Sequence, residues 1–80
     1  MSDNFDHSAE FIFETPDADK LYEVLLPEAG SDPGEKSFVA LSLNDGALCL
    51  SIQAEDVSAM RASVNMWFRL IAVSSEIFAL

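Results

Sequence analysis

The sequence predicts an α+β domain in which a three-stranded antiparallel sheet carries two helices on one face, in the order β-α-β-β-α. Three observations predict it. Three stretches alternate apolar and polar residues with the period of a half-buried strand, and two others repeat apolar residues every three or four positions, the period of a helix. The last two strand-like stretches are joined by Asn44-Asp45-Gly46, a combination that tolerates positive φ and closes a hairpin.

The elements follow in order. Residues 1–8 are polar apart from Phe5 and are expected to form a flexible amino-terminal segment, leaving residues 9–80 as one domain. Ala9, Phe11 and Phe13 alternate with Glu10, Ile12 and Glu14, a strand with an aromatic face. Thr15-Pro16-Asp17 then reads as a helix start: a hydroxyl to cap free N–H groups, a proline whose missing donor costs nothing at the first position, and a carboxylate near the positive end of the dipole. Ala18, Leu21, Tyr22 and Leu25 share one face of the helix that follows, and Pro27 ends it. Residues 27–36 carry the glycine, proline and carboxylate content of a surface loop. Residues 37–43 and 47–53 are the hairpin strands; Leu48, Leu50 and Ile52 share a face and Cys49 falls on the other. Asp56 is placed to cap a second helix that runs without glycine or proline from Val57 to Leu80.

A chain of 80 residues is one domain, and at that size folding buries only ~60% of the surface the unfolded chain exposes. Small domains compensate with disulfides, a metal or a partner. Cys49 is the sole cysteine and His7 the sole histidine, so neither a bridge within the chain nor a zinc cluster is available, and oligomerisation remains. No apolar run reaches the ~18 residues that span a membrane, and the amino terminus lacks a basic region followed by an apolar core, so a cytoplasmic protein is expected. Fourteen Asp and Glu against four Lys and Arg give a formal charge of -10, a surface that nucleic acid should repel. A solvated acidic coat accounts for most of it, and the balance is similar to that of proteins from salt-accumulating halophilic archaea.

The second helix has more apolar circumference than a sheet needs. At 100° per residue, Met60, Val64, Trp67, Ile71 and Phe78 form one arc, the expected core stripe. Met66, Leu70, Val73 and Ile77 form a second, extending the apolar surface to about 200° instead of the ~100° of an ordinary surface helix. The first helix covering that second stripe is one outcome; burial against another chain is the other. The remaining face holds Arg61, Asn65 and Arg69 in one row. These can bridge to Glu55 or Glu76, pair with acidic groups of a partner, or face phosphate. Catalysis has little to stand on: no histidine lies in a structured segment, no base accompanies the cysteine, and no phosphate loop or metal-ligand spacing occurs, so neither enzyme activity nor a cofactor is expected.

Several runs resemble the small dimerising Pcc-type subunit of the KEOPS complex, which supports synthesis of threonylcarbamoyl-adenosine in tRNA. They are Phe11-Ile12-Phe13, Ala18-Asp19-Lys20-Leu21-Tyr22 through Leu26-Pro27-Glu28, and Ala54-Glu55-Asp56 with Met60-Arg61-Ala62-Ser63-Val64-Asn65. The last is similar to the family's "A-x-D, then L-R-A-x-x-N" signature, with Met60 in the place of leucine. The resemblance implies a homodimer and a non-catalytic scaffold whose helices pack on the catalytic ATPase-like subunit, with indirect contact to tRNA and the chemistry and metal in that partner. Arg61, Asn65, Met66, Arg69, Leu70, Val73 and Ile77 are the expected partner-binding residues. The rival expectation is a small RNA-binding module that uses Arg61, Asn65 and Arg69.

Overall fold

A computed structural model of the chain describes residues 6–31 and 36–79. Its elements are β1 (His7–Glu14), α1 (Ala18–Leu25), a 3-10 turn (Leu26–Glu28), β2 (Gly30–Ser31), β3 (Ser37–Asn44), β4 (Ala47–Ala54) and α2 (Val57–Ala79). The three long strands form the expected antiparallel sheet, and β2 adds a two-residue edge, giving the order β1-β4-β3-β2. β2 falls in the stretch expected to be loop, of which residues 32–35 lie outside those described; so do residues 1–5 of the expected flexible segment. β1 begins at His7, which stands opposite Ala54.

The β3–β4 hairpin turns as its residues require. Asn44 pairs with Ala47, so Asp45 and Gly46 alone make the turn, both at positive φ (54° and 79°). That is the primed turn whose twist matches the strands it joins. At α2, Asp56 acts as the sequence suggests: its Oδ1 accepts the Ala59 N–H at 2.8 Å. At α1 the outcome differs. The helix opens at Ala18 with Asp17 as the cap position and no side-chain capping bond. Thr15 instead closes the turn before the helix, its Oγ1 accepting from the Asp17 N–H and its carbonyl from the Ala18 N–H, both at 3.2 Å. Pro16 therefore sits in that turn and not at the first helical position.

One side of the sheet makes the core. Val39 and Leu41 of β3 and Leu48, Leu50 and Ile52 of β4 are buried with Ala18, Leu21 and Leu25 of α1 and Trp67 and Ile71 of α2, while Phe11 and Phe13 of β1 pack at its margin. Both helices thus cover the same face. The α2 stripe differs from the expected one in two respects: Met60 and Val64 are only half-buried, and Ser63 and Ser74 are buried in the stripe. Ser63 Oγ donates to Ser37 Oγ at 2.8 Å, so the hydroxyl that faces the core finds a partner on β3. The side chain of Phe78 lies outside those described. Among the described residues no helix lies on the opposite side of the sheet; Ile12 stands on it 67% exposed, beside half-buried Cys49.

Candidate partner-docking surface

α2 is 23 residues long, or ~35 Å at 1.5 Å per residue, and rests chiefly on β4. A rod of that length projects side chains in all directions, and the sheet hides only those within reach of its strands. Trp67 marks the buried direction, with no exposed surface. Roughly 100° to one side stand Met66, Val73 and Ile77, which are 48%, 54% and 63% exposed. Leu70, between that flank and the core, is half-buried and packs against the core cluster. The helix therefore splits the expected second stripe: one residue belongs to the chain's own interior and three face outward. α1 touches α2 without hiding those three, and it contributes exposed Val24 and Leu26 of its own segment.

On the far side from the sheet, Arg61, Asn65 and Arg69 are all exposed, one helical turn apart. Among the described residues neither arginine has a hydrogen-bonding, ionic or aromatic partner. Glu55 and Glu76 are thus not bridged to them, and a row of donors stands open on an acidic body.

Phe68 is the residue that helical spacing alone did not mark. It lies roughly 100° from Trp67 on the flank opposite Met66, and its ring meets Phe11 at 4.9 Å and Phe13 at 5.7 Å, edge to face, yet it remains 42% exposed. Only the aromatic alternation of β1 hinted that a ring would be wanted there.

Among the described residues no group of three or more His, Cys, Asp or Glu is placed to hold a metal, and no helix is long and apolar enough to cross a membrane. The described residues thus form a small α+β fold whose long helix exposes three large apolar side chains on one flank and a row of two arginines and an asparagine on another. In the comparison with protein families, residues 6–79 match the family described as transcription factor Pcc1, and the chain belongs to it. The Pcc1 family is that of a small accessory subunit of KEOPS, the tRNA-modifying complex. Comparison with curated proteins yields no match.

Proposed function

We propose that this chain is the non-catalytic dimerising and scaffolding subunit of KEOPS, and that it supports threonylcarbamoyl-adenosine formation on tRNA by docking α2 on the catalytic ATPase-like subunit. The observation that carries the reading is the exposed row Met66, Val73 and Ile77 on a helix that already buries Trp67 and Ile71 in the core. Three large apolar side chains spaced seven and four residues apart form a continuous ridge, the shape that a groove between two helices of a partner accepts. Arg61, Asn65 and Arg69 flank the ridge and fit carboxylates at the rim of such a groove. The chain supplies no acid, base or nucleophile to the reaction; the chemistry belongs to the partner.

Direct contact with nucleic acid is disfavoured by charge. A body of formal charge -10 with two exposed arginines on one helix repels a phosphate backbone, whether of tRNA or of the DNA that the family's transcriptional description suggests. The same acidity suits a salt-rich cytoplasm, such as that of a halophilic archaeon, where counterions screen the self-repulsion.

Co-expression with the catalytic subunit tests the reading. A complex that survives size exclusion in concentrated KCl, and loss of the threonylcarbamoyl nucleoside from tRNA when the gene is deleted, are the expected results. Unchanged nucleoside content after deletion would refute it.

A further inference from the structure

α2 departs from the charge of the chain that carries it. It holds Arg61, Arg69 and a single carboxylate, Glu76, and is net positive, whereas the whole chain has a formal charge of -10. Fourteen acidic residues stand against four basic ones, so a guanidinium without a carboxylate marks a strip of surface from which acid has been kept. Lys20 and Lys36 both interact with other groups; Arg61 and Arg69, among the described residues, do not. The helix itself withholds the pairs, because none of the positions three or four residues either side of Arg61 or Arg69 carries Asp or Glu.

The strip is also low. Ser58, Ala62 and Ala72 are exposed beside the row and end close to the backbone, so another helix can approach to the 8–10 Å of direct packing. Arg61 and Arg69 lie eight residues apart, ~12 Å along the axis, and Asn65 between them offers both a donor and an acceptor. A guanidinium takes a carboxylate through two parallel N–H···O bonds, which fixes position as well as charge.

We infer that this outward strip of α2 reads an acidic helix: Arg61 and Arg69 each hold one Asp or Glu, and those two carboxylates stand two turns apart on one helix of the protein docked on α2. The strip presupposes the docking proposed above and adds the register in which the partner lies. Sliding the partner by one turn, ~5.4 Å, sets one carboxylate against Asn65 and carries the other beyond the strip. The ridge of Met66, Val73 and Ile77 thus supplies contact, and the strip selects among the positions that contact alone would allow. A nucleic acid fits less well, because its phosphates cannot be confined to one strip and the chain as a whole is acidic.

Replacement by lysine turns the strip into a ruler. In the complex with the catalytic subunit, Arg61→Lys and Arg69→Lys each put a primary amine where a guanidinium stood. A water-soluble carbodiimide activates an adjacent carboxylate as the O-acylisourea; the amine displaces the urea and an amide bond remains. Mass spectrometry should place the two cross-links on one partner helix, about seven or eight residues apart. Cross-links from the introduced amines to scattered partner acids, to this chain's own carboxylates, or to nothing while the complex stays intact would overturn the strip. The double variant Arg61→Gln, Arg69→Gln should bind ~10-fold more weakly in 0.1 M KCl, with a smaller deficit in 1 M KCl. Unchanged binding by that variant, with binding lost in Met66→Asp, would refute the strip and leave the ridge docking. Unchanged subunit binding with weaker retention of tRNA by the assembled complex would refute it too, since phosphate would then be the occupant. Loss of binding in neither variant would refute the docking itself.

Discussion

Replacing Met66 by Asp isolates docking from folding. In the free chain Met66, Val73 and Ile77 are each about half exposed, at 48%, 54% and 63%. Full burial of such a side chain is worth ~1.5–3 kcal/mol, so covering the exposed half contributes ~0.8–1.5 kcal/mol apiece. Met66→Asp removes one such share and places a carboxylate in an apolar seam, which adds a desolvation cost of ~1–3 kcal/mol. The sum, ~2–4 kcal/mol, corresponds to a 30- to 1000-fold weaker complex. The free chain should hardly notice: Asp is a poorer helix former than Met by ~0.5 kcal/mol, a fall in Tm of ~2–4 °C for a domain this small. Isothermal titration against the catalytic subunit and thermal melting of the free variant give the two numbers. Binding within threefold of wild type, or a free chain that unfolds, would refute the reasoning, the first because the ridge does not dock and the second because it belongs to the chain's own core.

Three further outcomes follow from the fold. Asp56→Ala deletes the 2.8 Å bond to the Ala59 N–H and should cost ~1 kcal/mol, read as a denaturant midpoint shift with unchanged slope; no shift would mean the cap is idle. Gly46→Ala meets no atom within 4 Å, yet Gly46 has φ of 79°, so a loss of ~1 kcal/mol from backbone strain alone is expected, and a neutral variant would contradict the primed turn. Raising KCl from 0.1 to 1 M shortens the screening length from ~10 to ~3 Å and should raise Tm steadily, because the charge of -10 repels itself; a flat or falling Tm would count against self-repulsion as a limit on stability.

What the sequence made legible was local. The hairpin follows from Asn44-Asp45-Gly46, and Asp56 caps α2 because both devices act within a few residues. Thr15 was assigned a cap one turn too far along: its hydroxyl competes for the nearest N–H, that of Asp17, which belongs to the preceding turn. β2 has two residues and no pattern to read. Ser63 and Ser74 escaped the core stripe because hydropathy marks them as polar, whereas Ser63 is buried against a hydroxyl 26 residues away that only the fold brings near. The surplus on α2 was visible from periodicity, but its division was not. Leu70 turns toward the chain's interior and Met66, Val73 and Ile77 do not, which depends on how far α1 and the sheet extend. Phe68 gained meaning only when β1 was seen beneath it.

Methyl-resolved NMR of the labelled chain, titrated with unlabelled catalytic subunit, addresses the ridge residue by residue. Attenuation or shift of the Met66, Val73 and Ile77 methyls at saturation, with Ile12 and buried Val39 unmoved, is the predicted pattern. Binding that leaves those three methyls where they were would show that α2 presents its spare apolar flank to something other than this partner.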